Sequence, residues 1–239
     1  MNLFISPARI LRFNLYLILS LLFLHLITGL ISSFFDLPLN IKNIFDFSEE
    51  RNLPTLYSGM ALYLSSFLLL LYSYICYKSN NKPSKFVILL SFIFAILGYD
   101  ETFRMHEYLT VPIRERFDLT GFFYYSWVVP YLAIVLIVFS LSLRFLSRLD
   151  KKTRYLFILS GAIYVFGELF LEMLAPAISY SSLGIKKDLP IFVYSITTLE
   201  ETLGMIGIAL FNYSIIKLII TQFNSLSIHL SSARPSKEI

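Results

Sequence analysis

Charge is scarce in this sequence. Asp, Glu, Lys and Arg make up 15% of its 239 residues, against 56% hydrophobic residues and a mean hydropathy of +0.70. That balance excludes a water-soluble domain. Cysteine is nearly absent: Cys76 stands alone, so neither an intrachain disulfide framework nor a multi-cysteine metal site can form. There is no internal repeat, no low-complexity tract and no glycine-rich phosphate loop. The serine-hydrolase signature G-x-S-x-G and the zinc-protease signature H-E-x-x-H are missing, as are the paired Glu-x-x-His motifs of di-iron bundles.

Long apolar runs are what the sequence has in abundance. They cover 13–35, 55–77, 86–108, 121–143, 155–177 and 191–216, each bounded by charge or by Pro and Gly. A spanning helix needs roughly 20 apolar residues to cross about 30 Å of hydrocarbon. The expected fold is therefore all-α, a polytopic transmembrane helix bundle of about six spans over residues 1–221, followed by a polar cytoplasmic tail at 222–239. The first run follows Arg9 and Arg12 but continues to Phe34 and Phe35, too long for a secretory signal core of about 7–15 residues. It is expected to remain as the first helix. Tyr57, Tyr72, Tyr74, Tyr77, Tyr124, Tyr125 and Trp127 fall near span ends, where aromatic belts form.

The net charge of +4 and the pI near 9.0 would suggest nucleic acid in a soluble protein, but here the basic residues sit between apolar runs. The lipid bilayer is the expected partner, with no nucleic acid. Thirteen Lys and Arg residues gather on one side: Arg9, Arg12, Lys78, Lys82, Lys85, Arg144, Arg148, Lys151, Lys152, Arg154, Lys217, Arg234 and Lys237. Six lie on the other: Lys42, Arg51, Arg114, Arg116, Lys186 and Lys187. The positive-inside rule then places both termini in the cytoplasm and the 36–54, 109–120 and 178–190 connections outside.

Seven of the sixteen acidic residues fall inside the expected spans: Asp100, Glu101 and Glu107 in the third, Glu168 and Glu172 in the fifth, Glu200 and Glu201 in the sixth. Each charge at mid-bilayer costs about 2.5–3.5 kcal/mol on insertion scales, so such residues face the bundle interior and have partners. At a rise of about 1.5 Å per residue, Asp100 lies about 21 Å and Glu168 about 20 Å from the inner edge, with Glu200 and Glu201 about 14–15 Å below the outer edge. All belong to one layer, which His25 of the first helix also reaches. On the third helix, Asp100, Arg104 and Glu107 share a face while Glu101 and His106 point away from it. Glu200 shares its face with Gly204 and Gly207, which permit close helix packing.

These acids cannot all be ionised without help. The cluster must share protons, hold water or bind a cation. Asp100, Glu101, His106, Glu107, Glu168, Glu200 and Glu201 form the candidate ligand set for a divalent metal ion, since hard cations take oxygen donors and Zn²⁺ or a di-iron centre accepts carboxylates with imidazole. Two plainer readings stand beside it. In these, Arg104 is the centre of a structural ion-pair knot with Asp100, Glu101 and Glu107, and His25 is a hydrogen-bonded interior residue.

The stretch Glu50-Arg-Asn-Leu-Pro-Thr-Leu-Tyr-Ser58, the Asp100-Glu-Thr-Phe-Arg-Met-His-Glu107 motif and Leu199-Glu-Glu-Thr-Leu-Gly-Met-Ile-Gly207 resemble an uncharacterised family of six-span bacterial membrane proteins. Leu56 stands where that pattern usually has tryptophan. The resemblance implies the topology and a bacterial inner-membrane location, and it points at Asp100, Glu101, His106, Glu107, Glu200 and Glu201 without implying a reaction. Three function classes follow from the residues: a cation-binding transport or conductance protein, a membrane-embedded metal-dependent enzyme acting on a lipid or quinone, and a non-catalytic subunit whose acids pair with a membrane-protein partner or a second copy.

Overall fold

In the computed structural model, residues 2–4, 6–35, 37–80, 84–179, 190–223 and 227–229 are described. The helices are α1 Pro7–Phe34, α2 Leu39–Phe45, α3 Leu53–Lys78, α4 Lys85–Phe103, α5 Met105–Phe117, α6 Val128–Ser147, α7 Lys151–Val165, α8 Glu172–Ser179 and α9 Pro190–Phe223. A π-helical turn, Phe166–Leu171, joins α7 to α8 so that the two form one long element. Six helical elements are long and apolar enough to cross a bilayer: α1, α3, α4, α6, α7 with α8, and α9. The chain is an all-α helical bundle with the composition of a multi-pass membrane protein.

Local chemistry fixes the ends of these helices. Asn52 caps α3, its Oδ1 accepting from Thr55 N at 3.1 Å, while its Nδ2 donates to the carbonyls of Asn43, Asp46 and Glu49. One side chain therefore both starts α3 and fastens the loop from α2. Asp150 caps α7 by accepting from Lys152 N and Thr153 N, and Arg154 satisfies the carbonyls of Leu146, Ser147 and Leu149 at the end of α6.

The long helix α9 runs through the centre, packed against α1, α3 and α7, and α3 packs in turn on α4. Leu68, Leu69, Val87, Phe211, Ile215 and Ile219 form the core at the end of the bundle nearest the termini. At mid-height Ser65 donates to Asn212 Oδ1 at 2.8 Å and Asn212 Nδ2 donates to Ala61 O at 3.0 Å, a polar tie between α3 and α9. The outer helices α1 and α6 expose Phe13, Phe23, Leu136 and Phe139, side chains that acyl chains would cover in a bilayer. Asn2–Phe4 and Ser227–His229 pair as a short antiparallel ladder, so these two segments meet at one end of the bundle.

Two expected span boundaries are corrected. The third span stops at Phe103 instead of 108, because Arg104 takes a left-handed conformation (φ 59°, ψ 40°) that no α-helix can pass through. The fourth begins at Val128 instead of 121: Gly121, at φ 61°, opens a 3₁₀ turn over Gly121–Phe123, and the aromatic stretch that reads as membrane-spanning packs as a connection. Nearly all of the 222–239 tail lies outside the described residues, as do Asp36, Lys82 and the 180–189 part of the fifth-to-sixth connection.

Candidate functional site

The break at Arg104 builds the first half of the site. Beyond it the chain turns back, and the Asp100 carboxylate receives the first turn of α5: Oδ1 accepts from His106 N at 2.6 Å and lies 3.2 Å from His106 Nδ1. Its other oxygen accepts from Tyr131 Oη at 2.6 Å. The expectation that His106 points away from Asp100 is thus overturned, since it assumed one unbroken helix. Asp100 is 6% exposed and fully satisfied, acting as a cap on α5.

Arg104 turns to the other side. Its guanidinium pairs with Glu50, from the loop before α3, and with Glu107. The ion-pair knot therefore exists, but it gathers Glu50 and Glu107 rather than Asp100 and Glu101. His106 Nε2 lies 3.8 Å from Glu50 Oε1, so the imidazole is held between Asp100 and Glu50, and it also packs on the Trp127 ring. Burial disfavours the charged imidazolium, yet the Asp100 hydrogen bond and charge, with Glu50 and Glu101 behind, raise His106 above its ordinary value. Burial and the neighbouring Glu107 raise Glu50 as well, against the pull of Arg104 and His106.

Glycines build the second half. A β-carbon on Gly167, within the π turn, would lie 3.0 Å from both Glu200 O and Gly204 N, and one on Gly207 would lie 2.7 Å from Tyr164 N. The two backbones approach as closely as glycine alone allows. The Glu168 carboxyl occupies the space that a β-carbon on Gly204 would need. One turn beyond Glu168, the Glu172 carboxyl lies beside that of Glu200, and Trp127 Nε1 donates to Glu172 at 3.4 Å. A π turn within a helix is frequently found at functional sites.

The two halves face each other. Glu101 is within electrostatic reach of Glu201, His106, Glu50 and Asp100, and Glu168 within reach of Glu101, Glu201, Glu172 and Asp100. Glu200 feels Glu172, Glu201 and Glu168. The structure thus brings together Asp100, Glu101, His106, Glu168, Glu200 and Glu201 of the expected set. Glu107 is exposed at the edge and committed to Arg104. Among the described residues, Glu101, Glu168, Glu172, Glu200 and Glu201 enter no ion pair with Lys, Arg or His.

As ligands for a metal the donors are poorly placed: among the described residues, no three His, Cys, Asp or Glu side chains converge in a way that could hold an ion. His25 does not join them. Its Nδ1 accepts from Phe47 N at 3.1 Å, which leaves Nε2 to carry the proton toward Thr198 Oγ1 at 2.9 Å, and the ring stacks between Phe47 and Tyr194. It is a neutral interior residue tying α1 to the α2–α3 loop and α9. Glu50, Tyr131 and Trp127 are site residues that the spacing argument misses. Glu50 stands in the first of the three motifs, so a signal existed, whereas nothing in the spacing marks Tyr131.

A family model described as a domain of unknown function (DUF8692) matches residues 15–218. No curated protein and no solved structure matches the chain.

Proposed function

The chain belongs to that family, an uncharacterised one that brings no reaction with it, and on this premise we propose that the protein binds protons at its carboxylate cluster and exchanges them with the outer face of a bacterial inner membrane, as a proton-coupled transport or conductance protein. One observation carries the reading: the carboxyls of Glu172 and Glu200 lie beside each other among Glu101, Glu168 and Glu201, without a cationic ion-pair partner among the described residues. Two ionised carboxylates side by side are acceptors only and repel, and a proton held by one removes the repulsion and supplies a donor to the other. Five negative charges within one bundle would repel strongly in low dielectric, so protons must be shared across the group.

A proton needs no converging ligand set, which is why the geometry favours it over a resident divalent metal. Mg²⁺, Mn²⁺ or Ca²⁺ would suit the oxygen donors chemically, but each wants about six or more ligands and the donors do not converge. The lysine and arginine bias supports an outward-facing cluster.

The test uses purified protein in liposomes with a trapped pH dye and an imposed membrane potential. Wild type should conduct protons, and Glu200→Gln and Glu172→Gln should each lose most of the flux. Infrared spectra at about pH 7, where an isolated glutamate is ionised, should contain a protonated-carboxyl band that Glu200→Gln removes. Absence of both flux and band would sink the proposal. Melting curves in which Mg²⁺, Mn²⁺, Ca²⁺ or Zn²⁺ stabilises wild type but not Glu200→Gln would move the site to a metal.

A further inference from the structure

The opposite end of the bundle holds a basic groove that plays no part in the carboxylate chemistry. It is a shallow, open depression of about 370 Å³ between α7 and α9, lined by Lys151, Lys152, Tyr155, Leu156, Tyr213 and Lys217. Lys217 is the unusual member. It interrupts the apolar run Ile215-Ile-Lys-Leu-Ile219 and is half-buried, about 9 Å inside the end of α9 at Phe223. A lysine within an apolar span needs an anion or a path to the interface. Its ammonium lies 5.8 Å over the ring of Tyr213, another residue of the groove's lining.

The neighbouring charges are accounted for. The Arg154 guanidinium is taken up by three carbonyls at the end of α6. Asp150 uses Oδ1 to cap α7 and, although within electrostatic reach of Lys217, forms no ion pair with it. Among the described residues, Lys151, Lys152 and Lys217 enter no ion pair at all. Three lysines therefore line one shallow depression, with no carboxylate paired to any of them among the described residues. Beside it α7 turns outward Tyr155, 64% exposed, and Ile158, 48% exposed, an apolar surface of the kind an acyl chain covers.

From this combination we infer that the groove is a headgroup site for an anionic phospholipid of the adjoining leaflet, the phosphate seated among Lys151, Lys152 and Lys217 and an acyl chain lying along Tyr155 and Ile158. Basic pockets between spanning helices recognise anionic headgroups in this manner. The tyrosines supply the amphipathic rim found at the level of lipid headgroups.

The test is thermal unfolding of the full chain in neutral detergent, titrated with phosphatidylglycerol, phosphatidylcholine or inorganic phosphate. Phosphatidylglycerol should raise the melting temperature in a saturable way, and the other two should not. Combining Lys151→Gln, Lys152→Gln and Lys217→Gln should weaken the phosphatidylglycerol response about tenfold or more, while Lys78→Gln with Lys85→Gln, at the same end of the bundle, should leave it intact. Should the triple variant fail to fold, Lys217→Gln alone, read by native mass spectrometry of retained lipid, should bind less than wild type. Equal stabilisation by phosphatidylcholine, an equal effect of inorganic phosphate alone, or an equal loss in the Lys78 and Lys85 control would each overturn the assignment.

Discussion

Three donors converge on the Asp100 carboxylate, and two of them come from His106. With Asp100 at Nδ1 and Glu50 near Nε2, the imidazole has an acceptor on each side, the environment of an imidazolium. The folded value of His106 is raised, so its contribution to stability is fully present below the ordinary histidine value of about 6.5 and is lost as pH rises through the folded value. Glu50, also raised, acts in the same direction. Among ring signals of histidine-labelled protein, the one that His106→Gln removes should therefore titrate above about 6.5. A midpoint at or below that value would contradict this geometry. The sequence makes Asp100 and His106 candidates, because ionisable residues in an apolar run announce themselves energetically. It does not reveal their contact, which depends on one backbone conformation at Arg104. Nothing in the residue type predicts a left-handed arginine, for glycine or asparagine usually marks such a position.

At the level of helices, the approach of α9 to the α7–π–α8 element is what collects the carboxylates. The stripe of Gly204 and Gly207 beside Glu200 is legible from spacing alone, since small residues three or four apart line one helix face. The π turn is not, because one extra residue per turn leaves no compositional trace. The glycines differ in what surrounds them, and that difference is measurable. A β-carbon at Gly207 would strike Tyr164 backbone, which cannot retreat, and Gly207→Ala should cost about 1–3 kcal/mol as an overpacked contact. Gly161 has nothing within 4 Å of the same position, so Gly161→Ala should be neutral or stabilising by up to about 1 kcal/mol through helix propensity. Gly204→Ala would meet only the mobile end of Glu168 and should displace that carboxyl, lowering proton flux more than stability. Unfolding in mild detergent alongside the liposome assay ranks the three, and equal losses at Gly161 and Gly207 would refute the close-packing account.

For the molecule as a whole, the direction in which the carboxylate cluster faces decides what it can serve. Six spans return the chain to the side from which it started, and the pairing of residues 2–4 with 227–229 puts these two segments at one end of the bundle, away from Glu50, Arg104 and α5. Hydrophobic run length makes this architecture readable from the sequence, because the bilayer admits few alternatives to a closed set of apolar helices. Absolute orientation rests on charge instead. The end that carries Lys78, Lys85, Arg144, Arg148, Lys151, Lys152 and Arg154 is the basic one, and it should face the cytoplasm. Cys76 is the only cysteine and is buried, so Cys76→Ser provides a clean background for labelling. In intact cells an impermeant maleimide should label Arg116→Cys, at the end of α5, and should reach Lys151→Cys, at the start of α7, only after permeabilisation. The reverse pattern would turn the carboxylates toward the cytoplasm and the basic groove toward the opposite leaflet. Proton exchange would then begin from the inner side, and the phospholipid site would have to draw on the outer leaflet. Labelling at these two positions fixes the sidedness of both sites at once, because they lie at opposite ends of a single bundle.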